Sequence, residues 1–507
     1  MTILIGERLD RADVAAVARG ASVELSPGAR GRLQASRDVV ASKVEAGETV
    51  YGVTTGLGSL ASVRLQPDEV RRLQLDLLRS HAVGVGPALS REEVRTMLLL
   101  RAHVLALGYS GVRPVVVERL MRLLNEDLLP IVPEQGSLGA SGDLAPLAHL
   151  ALPLIGEGEI QVNGQRVPAG DALRAAGIEP LELEPKEGLA LINGTQGMLA
   201  VGLVAADRAR ALARTADITA AMTIEAILGT DRPFDERLHR LRPHPGQLAS
   251  AANLRALLAG SEITASHRNS AHLVQDAYSL RCAPQVHGAF RDALGHADSV
   301  LEIEVGAVSD NPIVFAETGE VVSGGNFHGQ PVAVALDALA VATVGLASIS
   351  ERRLYRLLDP ATNNGLPAFL VDKAGMNSGF MIVQYTAASL VSESKTLAHP
   401  ASVDSIPSSA GQEDHVSMGM TAARHARGCV ANAEVVVAME VLCSAQALEL
   451  RALTPAPATR AALAAVREVI AFLREDRGLK ADVDAAIELV RSGALLEAVG
   501  AVTGPLV

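Results

Sequence analysis

Gly136-Ser137-Leu138-Gly139-Ala140-Ser141-Gly142-Asp143-Leu144-Ala145-Pro146-Leu147 is the stretch on which the reading of this chain turns. Gly142 carries an unhindered amide nitrogen on the most permissive backbone. Bent back tightly, that nitrogen can attack the carbonyl carbon of Ala140. Loss of one water closes a five-membered imidazolone. Loss of a second, from Ser141, leaves an exocyclic alkene. The product, 4-methylidene-imidazol-5-one (MIO), is an electron sink made from backbone. A bare Ala-Ser-Gly is ordinarily no more than a turn before a helix, so the rest of the chain decides.

The 507 residues exceed a single-core domain, and two or more domains or one large helical assembly are expected. Hydrophobic residues make up 49% but aromatics only 2%, with no Trp. The apolar content is therefore Ala, Leu and Val, which favours closely packed helices over sheets. A net charge of −12 without a long basic run argues against nucleic acid. Cys282, Cys429 and Cys443 lack metal spacing and read as reduced thiols of a cytoplasmic protein. No metal site is expected. The first residues lack a signal-peptide layout, and the charge-free apolar run after Asp337 is too short to span a bilayer.

Ser26-Pro27 opens a helix to about residue 46, and helical patterns follow at about 67–80, 90–107 and 113–126. Hairpins are expected around Asn163-Gly164 and around Thr318-Gly319. Two long helices are expected, at about 329–358 and 413–450. In the second, Val416, Met420, Ala423, Val430, Val437, Val441 and Leu448 form a helical stripe. At 1.5 Å per residue it would run roughly 55 Å, a length that calls for burial in a multi-chain bundle. The fold expected is mainly α, a long-helix bundle with a few short β-hairpins. A boundary near Ala200 divides it into an N-terminal domain, 1–200, and a long-helix domain, 201–507.

Six further segments place polar residues in apolar or Gly-rich settings. They are Tyr51 with the loop to Gly58; Ser80-His81; Asn193-Gly194-Thr195-Gln196; Gln275 to Gln285 with Tyr278 and Arg281; Ser323 to Pro331 with Phe327; and Ser409 to Met418 with Glu413. Each has an ordinary reading: a tyrosine packing a turn, a helix-end histidine, a turn asparagine, a surface pair three residues apart, a core aromatic, and a first-turn carboxylate favoured by the helix dipole. A serine hydrolase is a poor fit, because Gly-x-Ser-x-Gly is not present around Ser141. So is a zinc enzyme, for want of His-Glu-x-x-His. A non-catalytic helical scaffold would not need these polar residues together.

In order and spacing these segments, with Ser309-Asp310-Asn311-Pro312, resemble the aromatic amino acid ammonia-lyase family from about Leu25 to Leu450. The resemblance implies a long-helix architecture shared with fumarase-like lyases, MIO formed from Ala140, Ser141 and Gly142, and a cytoplasmic homotetramer with shared active sites. It implies Tyr51 as the base, Asn193 and Tyr278 positioning the amine and the imidazolone, Arg281 on the α-carboxylate, Gln275 in the substrate site and Phe327 as a wall. Ser80-His81 and Gln412-Glu413-Asp414-His415 are similar to the histidine-acting branch, with His81 and Glu413 on the imidazole. The implied reaction is elimination of ammonia from L-histidine to trans-urocanate, the first step of histidine degradation. A tyrosine- or phenylalanine-acting lyase or aminomutase is the alternative. Leu57, Gln330, Ser394 and Gly411 depart from the histidine-acting pattern, and Gly411 and Gln330 would alter the edge of the substrate pocket.

Overall fold

The computed structural model describes the chain apart from residues 57, 59–62 and 270–273, so Leu57 lies outside the described residues. The chain forms two compact units. The first comprises Met1–Val204, Asp298–Leu336 and Pro400–Arg424; the second comprises Ala205–Ala297, Asp337–His399 and His425–Val507. Both are discontinuous in sequence, unlike a division at residue 200, and four of the five crossings between them fall within long helices.

Helices Ala29–Glu45, Pro67–His81, Arg91–Ala106 and Pro114–Asn125 lie close to the expected positions. Arg91–Ala106 opens on a capping box in which Ser90 and Glu93 satisfy each other's backbone N–H. Both hairpins form, Glu159–Val162 with Gln165–Pro168 and Ile313–Phe315 with Glu320–Val322. The first is extended by Leu129–Pro130. The hairpin expectation does not cover the parallel pairing of Thr2–Ile5 with Ser22–Leu25. Four-residue strands around an amphipathic helix carry too little alternation to be read in advance.

Four helices are long: Gln196–Ala226, Ala283–Val305, Gln330–Leu358 and Gly419–Leu450. The expected stripe from Val416 to Leu448 is buried throughout. By length and composition alone Gln330–Leu358 and Gly419–Leu450 reach the size of a bilayer span, although the charge-free run is short. The most apolar window of the latter is 78% buried within the protein, as befits a core helix.

The polar residues of the second unit's helices are paired with one another. Arg353 and Glu440, both fully buried, meet through two hydrogen bonds at 2.6 and 2.9 Å, and Thr223 and Ser350 donate to the same carboxylate. Asp217 accepts from His287 Nδ1 and Arg291, each at 2.7 Å. Such pairs satisfy charges that burial would otherwise penalise by several kcal/mol each.

The helix expected from residue 413 begins six residues later, at Gly419. The backbone of 413–418 is engaged elsewhere. Glu413 bridges to Ser408, Val416 N–H donates to Ser405 Oγ, and Met418, at φ 54°, donates to the Leu138 carbonyl. Glu413 is thus not a first-turn carboxylate; it stands in a loop facing the site described next.

Candidate active site

The Ala140-Ser141-Gly142 segment is a turn before the helix Leu144–Ala151. Gly139 and Gly142 pair across Ala140-Ser141 as an antiparallel bridge, and Gly142 pairs with Gly194 in parallel. Gly194 N–H donates to the Ser141 carbonyl at 3.2 Å, and its own carbonyl accepts from Asp143 N–H at 2.7 Å. Gly142 has φ +72°, and a Cβ there would lie 2.0 Å from the Gly194 oxygen. Only glycine fits. The turn is clamped by backbone hydrogen bonds and admits only glycine at the position that would supply the attacking nitrogen, so the residues present fit MIO. Asp143 braces the turn, accepting from Ser137 Oγ and Met198 N–H at 2.8 and 2.7 Å. Burial pushes its carboxyl up to about 6.

Among the described residues, two cavities open on this turn. One, of about 460 Å³, is lined by Tyr51, His81, Ser141 and Glu413 against an apolar wall that includes Leu73, Leu144 and Leu189. The other, of about 430 Å³, shares Tyr51, Ser141 and Glu413 and adds Ala140, Phe327 and Asn311. Tyr51 enters from a turn pinned by Thr54, whose Oγ1 donates to the Glu48 carbonyl at 2.6 Å. The phenol oxygen accepts from Gly58 N–H at 3.2 Å.

His81 is the last residue of its helix, and its Nδ1 lies 2.9 Å from the Leu77 carbonyl. A carbonyl only accepts, so Nδ1 carries the proton and Nε2 of the neutral ring is an acceptor. Burial lowers the His81 pKa, against the raising effects of the Leu77 carbonyl and Glu413. Glu413 Oε2 accepts from Ser408 Oγ at 2.6 Å.

Asn193, buried behind the turn, ends the helix Glu187–Ile192. Its Nδ2 donates to Asp310 and to the carbonyl of Asn311, which lines the second cavity. The first unit therefore gathers Tyr51, His81, Ala140, Ser141, Gly142, Asn193, Phe327 and Glu413 around one turn. Gln275, Tyr278 and Arg281 belong to the second unit and are not among the residues lining either cavity. Tyr278 is 71% exposed, and the Arg281 guanidinium lies 4.6 Å above its ring. No cluster of potential metal ligands occurs among the described residues.

The sequence profile of aromatic amino acid lyases matches residues 9–468. The chain is 55% identical over 503 residues to the histidine ammonia-lyase of Anaeromyxobacter sp. (strain K), covering 97% of this chain and 99% of that one. The chain belongs to the aromatic amino acid lyase family. Among solved structures it is similar to histidine ammonia-lyase from Trypanosoma cruzi, at TM-score 0.91 and 43% identity, covering 99% of this chain and 95% of that one. It is also similar in fold to tyrosine aminomutase from Streptomyces globisporus, at TM-score 0.95 and 40% identity, covering 99% of each. Fold likeness thus spans lyases and aminomutases of different substrates, and the pocket residues must choose.

Several residues of this lyase site lay outside the sequence reading. Gly58 as a donor to Tyr51 and Ser408 as a donor to Glu413 depend on loop contacts that no spacing reveals. Asp310 and Asn311 stood in a recognisable motif, but their partners, Lys186 and Asn193, are distant in sequence. Of the departures, Gly411 sits at φ +85°, Ser394 accepts from Asn432, and Gln330 donates to the Ser402 carbonyl.

Proposed function

We propose that the chain is a histidine ammonia-lyase that converts L-histidine to trans-urocanate and ammonia. The observation that carries the substrate is the pairing of His81 and Glu413 in one cavity with Tyr51 and Ser141. His81 Nε2 and the Glu413 carboxylate are both acceptors, so between them they receive the single N–H of a neutral imidazole or both N–H groups of an imidazolium, and offer nothing to a phenyl ring. A phenyl substrate would cover the half-buried Glu413 carboxylate while giving it no donor, which is costly. Likeness to tyrosine aminomutase favours the alternative, a tyrosine- or phenylalanine-acting enzyme, but only at the level of the fold.

MIO held by Ala140, Ser141 and Gly142 would supply the electron sink that makes the α-amino group a leaving group. Tyr51 removes the β-proton. The Gly58 N–H donates to the Tyr51 oxygen at 3.2 Å and fixes its place in the cavity. Asn193 orients the amine, and Phe327 walls the cavity. Gln275, Tyr278 and Arg281 complete the site, with Arg281 on the α-carboxylate, from another copy in a homotetramer. Exposed Val334, Val341, Tyr355, Ile382 and Tyr385 on two of the helices supply apolar surface for such an assembly. The three free thiols suit the cytoplasm.

The test is urocanate absorbance with L-histidine, beside the corresponding products from L-tyrosine and L-phenylalanine. Comparable turnover of all three would remove the histidine assignment. Light scattering of the active enzyme should give four chains; an active monomer of 52.7 kDa would remove the shared site.

A further inference from the structure

Ser309-Asp310-Asn311 has no role in the reaction above, yet it lies at the centre of a buried polar network in the first unit. Lys186 Nζ and Asp310 Oδ2 meet at 2.7 Å with both side chains fully buried. Asp310 Oδ1 accepts from Asn193 Nδ2 at 3.1 Å and from Asn311 N–H at 2.7 Å. The second Nδ2 hydrogen of Asn193 reaches the Asn311 carbonyl at 2.9 Å. Arg101, also fully buried, donates through one Nη1 to the Asn193 carbonyl and to Gln196 Oε1, each at 2.9 Å. Asn311 Oδ1 accepts from Gly324 N–H on the loop leading to Phe327.

This wiring removes the freedom of the Asn193 amide. A carboxylate and a backbone carbonyl only accept, and an amide nitrogen has two hydrogens, both of which are used. Nδ2 must therefore face Asp310 and Asn311. Oδ1 is the end left over, with no hydrogen-bond partner among the described residues. An acceptor is what a substrate ammonium or amine requires; a reversed amide would set N–H against N–H. Burial alone would raise the Asp310 pKa, but Lys186 and Arg101 outweigh it and hold the carboxylate below its usual range.

We propose that Asp310, paired with Lys186, is a positioning residue that fixes the Asn193 amide with its oxygen toward the substrate's α-amino group. The inference rests on the amino acid lyase reading. In Asp310→Asn, Lys186 retains the side-chain oxygen and the new amide nitrogen faces Asn193 Nδ2, so the Asn193 amide inverts or loses its anchor. A charge-assisted hydrogen bond is then lost from the reacting amine, and kcat/KM for L-histidine should fall about 10- to 150-fold.

The probe that separates positioning from general damage is imidazolepropionate, which keeps the ring and carboxylate but lacks the amino group. Its inhibition constant should stay within about twofold in Asp310→Asn, and intact mass should still show loss of two waters. On an Asn193→Ala background, Asp310→Asn should add less than about threefold. Equal weakening of histidine and imidazolepropionate, or a full effect without Asn193, would overturn the proposal. If Asp310→Asn does not fold, Lys186→Arg and Lys186→Met replace it. Arg should stay within a few-fold of wild type and Met should show the histidine-selective loss, whereas equal, unselective losses would overturn the proposal. A wild type inactive on histidine would instead mean failure of the functional reading itself.

Discussion

Gly142→Ala should stop the chain from maturing. At φ +72° an L-residue is strained by about 1–2 kcal/mol. The added Cβ would lie 2.0 Å from the Gly194 carbonyl oxygen, which is backbone and cannot rotate away. To clear it, that carbonyl must release Asp143 N–H, now 2.7 Å distant. An orphaned buried donor costs about 1–3 kcal/mol. Together these weigh about 2–5 kcal/mol against the clamped turn, or roughly 30- to several-thousand-fold in the rate of ring closure. The assay is intact-mass spectrometry of purified protein, with Ser141→Ala as the control that cannot form the alkene. Wild type should be lighter by two waters than its translated sequence, and Gly142→Ala should remain mostly at the translated mass. Circular dichroism confirms that the variant is folded. Complete loss of both waters in Gly142→Ala would refute the steric argument for this turn.

Tyr51→Phe should leave the two-water loss intact and abolish most histidine turnover, whereas near wild-type kinetics would remove Tyr51 as the base. Glu413→Gln takes away a charged acceptor already oriented by Ser408, so kcat/KM for histidine should fall about 10- to 150-fold while phenylalanine, which makes no such bond, gains relatively. An unchanged histidine-to-phenylalanine ratio would count against the ring-binding role. His103 is fully buried, accepts from Gly6 N–H, and is pulled by burial to about 4. With an unfolded pKa near 6.5, the unfolded chain binds the extra proton between these values, so stability is lost as pH falls from about 6.5 toward 4, by up to about 1.4 kcal/mol per unit. The stability advantage of wild type over His103→Gln should therefore shrink between pH 7 and 5, and a constant gap in Tm would contradict this.

Helix content, the two hairpins and the buried stripe from Val416 to Leu448 were legible in the sequence, because periodicity and turn chemistry are local properties. The chemistry of Ala140-Ser141-Gly142 was legible for a similar reason: it needs only a permissive nitrogen and an adjacent hydroxyl. The start of the last long helix was not, since residues 413–418 read as helical but their backbone groups bond to Leu138, Ser405 and Ser408. Those contacts turn Glu413 from a helix-end charge into a cavity residue. The donor to Tyr51, the tautomer of His81 and the orientation of the Asn193 amide were likewise beyond the sequence. Each depends on a hydrogen-bond partner brought close in space. For Asn193, the partner Asp310 and its counter-ion Lys186 are separated by more than a hundred residues of chain. Residue types set which reactions the chain can perform; the tertiary structure decides which atom of each side chain faces the substrate.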